Sequence, residues 1–451
     1  ITFDCPDKIN GLLTMTVEPA DYQEKVEKTL KDYRKKAQVP GFRPGMVPMG
    51  MIKKQYGTAV KVDEVNKLMG EKLYEYIHEN KIQMLGEPLP NQEKQVPQDF
   101  EKDGELTFVF DIAVAPEFKA ELSAKDKITY YTIKADDKLI DDQVQMYASQ
   151  AGEFVKADVF SGNDTITGDM RELDKKGNTK EGGITTEGAM VMPAYIKADD
   201  QKKLFDGAKP GDIITFNPKK AYPDNDAEVA ALLKVQKDDV KDLTSDFSYQ
   251  ITEIRHFEPA AVDQKLFDRV FGEGTVKDEK AFREKIAETI APQLQQNSDY
   301  KFLLDVRAYL EKKVGDLQFP EALLKRVMLQ NNQDKGADYV EKNFEGSIKE
   351  LTWHMIKEKL VAANNIKVED ADLKAVAKEA IRAQFAQYGM SNVPDDVLEN
   401  YAAEQLKKRE NVDNFVDRAV DVKLTEALKN VVKLNAKEVS LEEFNKLMTE
   451  K

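Results

Sequence analysis

The 451-residue chain contains one cysteine, Cys5, so no internal disulfide can form and a reducing compartment is expected. Its only histidines are His78, His256 and His354, too few to suggest a zinc site, and no metal or cofactor is expected. No stretch approaches the ~20 consecutive apolar residues that span a bilayer. The N-terminus lacks the basic-then-apolar layout of a secretory signal, so a cytoplasmic protein with no membrane partner is expected. The chain opens on Ile1 rather than methionine, and a few native residues are expected to precede it. No lysine–serine/threonine pair forms a phosphate loop, and Gly272-Glu273-Gly274 lacks the strand, third glycine and helix entry of a dinucleotide loop. There is no nucleophile elbow, histidine–carboxylate cluster, fixed-period repeat or low-complexity tract. Energy-independent binding is the default reading.

The formal net charge is −15 and charged residues make up 33% of the chain. Such a surface repels nucleic acid at long range, which excludes DNA as a partner and restricts any RNA contact to a local patch. The length suggests two to four domains.

The pattern predicts a multi-domain α+β protein. Residues 1–114 form an α+β unit, 115–150 a connector, 151–257 a small sheet-rich domain and 258–451 an all-helical domain. In the first unit Gly11–Val17 and Leu106–Val114 read as strands. Tyr22, Val26, Leu30 and Tyr33 share one face of a helix that stops before Pro40 and Gly41. A short helix through Met51, Ile52 and Tyr56 is expected next, then a longer one carrying Val65, Leu68, Leu73 and Ile77. In the third segment glycine and proline rise, and short strands separated by turns fall at 165–168, 188–192, 213–216 and 247–254. Beyond it, apolar stripes occur at Leu323, Leu324, Val327 and Met328, at Leu351, Met355, Ile356 and Leu360, and at Phe415, Val416, Val422, Leu424 and Leu428.

The segment 41–48 stands out. Gly41 and Gly45 allow a tight bend, and Pro40, Pro44 and Pro48 restrict the backbone around it. Phe42 and Arg43 sit at the tip, a pairing suited to RNA phosphate beside apolar protein. From 25 to 54 there are nine basic residues and two acids, a local charge of +7. Such an island on an acidic chain is the footprint of a nucleic-acid contact. Charge and spacing alone equally describe a helix–loop–helix with a solvated face, the commoner case.

Gly41-Phe42-Arg43-Pro44-Gly45-Met46-Val47-Pro48 resembles the signature loop G-F-R-x-G-K-x-P of the trigger factor family. Ile52–Gly57, Phe319–Leu324, Phe415–Leu428 and Phe444–Met448 are similar to the family as well, in family order over nearly the whole chain. The resemblance implies a chaperone that docks beside the exit tunnel of the large ribosomal subunit and shields nascent polypeptides. Gly41, Phe42, Arg43, Pro44, Gly45 and Met46 would form its docking loop. Pro44 and Met46 replace lysines common in the family, so the cationic part would rest on Arg43 and the helix lysines.

The middle domain resembles an FKBP-like prolyl isomerase. That fold desolvates the X–Pro amide in an aromatic cup and lowers a barrier of ~18–20 kcal/mol. The I-P-G-F/W floor of the family corresponds to Met192-Pro193-Ala194-Tyr195-Ile196, without its glycine. Ala208–Asp212 and Ala221-Tyr222-Pro223 keep the family framing, and an extra stretch runs from Asp224 to Asp239. Tyr195, Phe205, Phe216 and Tyr222 either line a residual pocket or form the core of a small sheet domain, and the core is the commoner fate. Isomerase activity is expected to be weak or absent.

The helical domain offers reach rather than catalysis. Methionines at 328, 355, 390 and 448 suit irregular apolar partners, although most stripe residues must pack helix against helix. Trp353 and His354 read as a packed or surface pair. The rival readings are an active prolyl isomerase and a ribosome-free holdase or assembly chaperone, with a homodimer left open.

Overall fold

The computed structural model describes residues 1–43, 45–388, 390 and 393–449. In chain order the elements are β1 (Thr2–Asp4), β2 (Asn10–Val17), α1 (Pro19–Lys36), α2 (Met49–Glu79), β3 (Leu89–Pro90), β4 (Leu106–Ala113) and β5 (Lys127–Ile133). There follow α3 (Asp137–Gln150), β6 (Glu153–Lys156), β7 (Thr165–Glu172), β8 (Thr185–Val191), α4 (Asp199–Lys202), β9 (Ile213–Phe216), α5 (Pro218–Ala221), α6 (Asp226–Leu233) and β10 (Phe247–Glu258). The rest is α7 (Gln264–Phe271), α8 (Glu279–Val314), α9 (Glu321–Asn331), α10 (Gly336–Ala363), α11 (Asp370–Gln387), α12 (Asp395–Leu406), α13 (Arg409–Val431), β11 (Lys433–Val439) and α14 (Leu441–Thr449). The chain divides into two compact units, Ile1–Tyr130 with Asp299–Lys437, and Tyr131–Ser298 with Glu438–Lys451.

In the first unit an antiparallel sheet of order β1-β2-β4-β3 turns one face toward α1 and α2. Alternation in β2 sends Leu13, Met15 and Val17 inward, where they meet Phe108, Phe110 and Ile112 of β4 and Tyr22 and Val65 of the helices. Leu85, Leu89 and Ala113 pack against Leu323, Leu324 and Val327 of α9. Arg326 seals that contact by donating to the Asp111 carboxylate (2.7 Å) and the Pro90 carbonyl (3.0 Å). The helical body has its main core where Phe302, Val306 and Leu310 of α8 meet Ile356 and Leu360 of α10 and Leu424 and Leu428 of α13. A smaller cluster joins α11, α12 and α13 through Ala377, Ile381, Leu398, Ala402 and Phe415.

In the second unit β10 is long enough to pair with β9 and β6 in turn along one edge and with β7 along the other, and β8 follows β7. Tyr249 of β10 is fully buried, and its hydroxyl donates to the carbonyls of Ile166 and Ala189, 2.8 Å from each.

The expected α+β class with a sheet-rich middle and a helical C-terminal half is present. Four details differ from expectation. The two helices after the loop are one, α2, 31 residues long, because Gly57 and Gly70 sit within a run that keeps its apolar face. Residues 433–439 are a strand rather than helix: its side chains are mostly exposed, and tertiary pairing overrides its weak local signal. Val422 is exposed rather than part of the α13 stripe. Met355 is buried and Met328 half-buried in the contact around α9, while Met390 and Met448 are exposed.

Candidate functional site

The loop after α1 is built from its two ends. α1 starts at a capping box in which Glu18 and Asp21 satisfy each other's backbone donors, with Pro19 in the first turn. Arg34, Lys35 and Lys36 occupy the last turn, where cations suit the helix dipole. The neck of the loop is apolar: Val47 is fully buried with Leu30, Ile52 and Val60, and Ala37, Val39, Met49 and Tyr56 pack around them. Gly41 (φ +89°) and Gly45 (φ +84°) adopt a conformation that L side chains rarely hold, and among the described residues nothing lies within 4 Å of the Cβ either lacks. The glycines thus serve the backbone path rather than close packing. Two turn bonds brace the tip, Phe42 N–H to the Val39 carbonyl (3.1 Å) and Met46 N–H to the Arg43 carbonyl (2.9 Å).

Beyond that neck the side chains face solvent. Phe42 is 39% exposed, Met46 is 68% exposed and Arg43 is exposed as well. Pro44 lies outside the described residues. Lys25, Lys35 and Lys53 bridge to Glu71, Asp32 and Glu27 at 3.3, 2.7 and 3.6 Å. Among the described residues, Lys28, Lys31, Arg34, Lys36, Arg43 and Lys54 form no ion pair with a carboxylate. The island therefore keeps most of its cations uncompensated, which favours a polyanionic surface. The valines at 39 and 47, which hold the neck, escaped the sequence reading; their placement on either side of the Pro/Gly loop was the available signal.

The four aromatic residues of the proposed cup do not share one environment. Phe205, Phe216 and Tyr222 lie in the core of the sheet domain, whereas Tyr195 is 69% exposed at the end of a single 3₁₀ turn, Pro193–Tyr195. The rings of Phe205 and Phe216 meet edge-on at 5.4 Å between centroids, and Tyr249 joins them at 6.3 and 6.0 Å. Tyr249 of this buried cluster was not named from the sequence, though the inward alternation Phe247, Tyr249, Ile251 was legible. Burial, with a smaller effect of Glu228, pushes the Tyr222 hydroxyl up to about 12.

The stretch from 224 to 239 fills this core rather than looping away. Val229, Ala230, Leu232 and Leu233 of α6 are buried with the aromatic residues. Thr186 donates to the Leu233 carbonyl (2.7 Å) and Lys234 Nζ to the Glu187 carbonyl (2.8 Å), fastening α6 to β8.

Together the features define a protein in which a sheet domain with an aromatic core is inserted between an N-terminal α+β module bearing an exposed loop and a helical body. Three family models match in succession: bacterial trigger factor protein over residues 1–147, the probable trigger factor FKBP-like domain over 154–259 and the probable trigger factor C-terminal domain over 298–448. The chain belongs to the trigger factor family. It is 23% identical over 436 residues to the trigger factor of Chlorobaculum tepidum, covering 93% of this chain and 94% of that one. With the trigger factor of Delftia acidovorans it shares 25% over 460 residues, covering 98% and 99%. A solved chain described under "Promiscuous Substrate Recognition in Folding and Assembly Activities of the Trigger Factor Chaperone" superposes with a TM-score of 0.48 at 14% identity, covering 95% of this chain and 100% of that one. No helix among the described residues is long and apolar enough to cross a membrane.

Proposed function

We propose that this chain is an ATP-independent chaperone of the cytoplasm that docks on the large ribosomal subunit through residues 41–46 and shields nascent polypeptides with its helical body. The observation that carries the docking is an exposed Phe42–Arg43 tip on a fixed apolar neck, among cations most of which form no ion pair within the described residues, on an otherwise acidic chain. A tip held this way loses little conformational freedom on binding, so its few contacts count for more. Shielding is assigned to the helical body because its surface carries scattered apolar groups, among them Leu329, Tyr388, Met390 and Tyr401. Release then follows the client's own burial of apolar surface.

Replacing Phe42 and Arg43 together by alanine tests the assignment. Co-sedimentation of the full chain with ribosomes is expected to fall at least tenfold, with no change in thermal stability. Undiminished co-sedimentation would remove this loop from the docking surface. A wild-type chain that does not sediment with ribosomes at all would favour a ribosome-free holdase.

A further inference from the structure

We infer that the foot of the loop carries a second contact, a tyrosine platform that stacks on unpaired nucleotides of RNA. This inference rests on the docking reading and deepens it. Tyr33 of α1 and Tyr56 of α2 lie with ring centroids 5.6 Å apart and planes inclined by 37°. Tyr56 packs in the same cluster as Val39 and Val47, which places the pair at the loop's neck. Tyr33 remains 44% exposed, while the buried face of α1 is made by Tyr22 and Leu30. The exposed ring is therefore not needed to complete the core.

The surroundings are mainly cationic, the nearby carboxylates Asp32 and Glu27 being bridged to Lys35 and Lys53. Arg34 and Lys36 follow Tyr33 on α1 and bridge to no carboxylate among the described residues. Arg34 Nε is shut off from solvent and has no hydrogen-bond partner among the described residues, so the stem of this arginine is held against the domain rather than swinging free. Lys53 lies one helical turn before Tyr56 and is only loosely bridged to Glu27, at 3.6 Å. Aromatic faces beside a guanidinium and ammonium groups recognise single-stranded RNA, whose bases stack while its phosphates meet the cations. A regular duplex would engage the charges and leave the rings idle, and an acidic protein would do the same.

The test uses the full chain, a 12-nucleotide oligouridylate, a 12-base-pair RNA duplex, and ribosomes. The wild-type chain is expected to bind the oligouridylate more tightly than the duplex, and more weakly as salt rises. Tyr33→Leu with Tyr56→Leu keeps apolar bulk at the neck and should weaken binding to both oligouridylate and ribosomes about tenfold with an unchanged salt slope. Arg34→Gln should instead lower the salt slope by about one ion. Tyr33→Leu alone alters an exposed ring and serves if the double variant misfolds; a several-fold loss is expected. Wild-type affinity in the folded tyrosine variants, or equal binding of duplex and oligouridylate, would overturn the platform. If the tyrosine variants bind normally while Phe42→Ala/Arg43→Ala does not, the platform fails and the docking loop stands. If the loop variant also binds normally, the docking reading fails too.

Discussion

At the scale of single residues, the buried carboxylate of Asp126 shows how much depends on partners distant in sequence. It accepts from Tyr309 Oη and Lys313 Nζ, both at 2.7 Å, and from the backbone and side chain of Ser123 at 2.8 and 3.0 Å. Burial by itself would raise this carboxyl, but the hydrogen bonds from Lys313, Tyr309 and Ser123 outweigh it and hold the group well below the usual carboxylate range. A lowered folded-state value contributes stability that is complete above the unfolded value of about 4 and is lost as pH falls through the folded one. Urea titrations between about pH 6 and pH 2 should therefore show a shallower acid limb for Asp126→Asn than for wild type. At neutral pH this variant should cost about 2 kcal/mol. An acid limb parallel to wild type would show that Asp126 is not a source of the acid sensitivity. The bonds from Tyr309 and Lys313 were not legible beforehand, because no local pattern marks partners more than 180 positions away. The exposed Phe42 and Arg43 were legible, since their surroundings are made by adjacent prolines and glycines.

At the scale of elements, strong periodicity was read correctly and insertions were not. α1, β2, β4 and β9 fall where spacing and turn residues put them. The stretch after Tyr222 looked like an acidic excursion because Asp224, Asp226, Asp238 and Asp239 frame it. In the structure Val229, Ala230, Leu232 and Leu233 at its centre face the aromatic core. α6 thus occupies the domain's interior with the chain's own side chains, and Phe205, Phe216 and Tyr222 are closed to solvent. A proline-limited refolding assay is expected to show little or no acceleration by the wild-type chain. Strong acceleration that Tyr222→Phe abolishes, with folding intact, would show instead that the aromatic cluster opens to substrate.

At the scale of the whole molecule, the contact of the N-terminal module with α9 was invisible in the sequence. The strand at 106–114 and the stripe at 323–328 were readable as apolar, but not that one module would cover the other. The fit is close at Gly86: a Cβ there would lie 2.8 Å from Val327 Cγ1, and the backbone holds φ +78°. Gly86→Ala should destabilise the first unit by about 1–3 kcal/mol through backbone strain and crowding. Hydrogen exchange is expected to rise in residues 84–90 and in α9 together. Exchange confined to the immediate neighbours of residue 86 would show that the two surfaces open independently.

The first unit is also discontinuous, since residues 1–130 find their partners at 299–437. During synthesis the N-terminal sheet leaves the ribosome long before α9 exists to cover Leu85, Leu89 and Ala113. At about 5–20 residues per second, the roughly 210 residues between Ala113 and Leu323 take on the order of 10–40 s to make. For that interval the newborn chain exposes an apolar surface of its own, and it meets the hazard of early emergence that its proposed clients face.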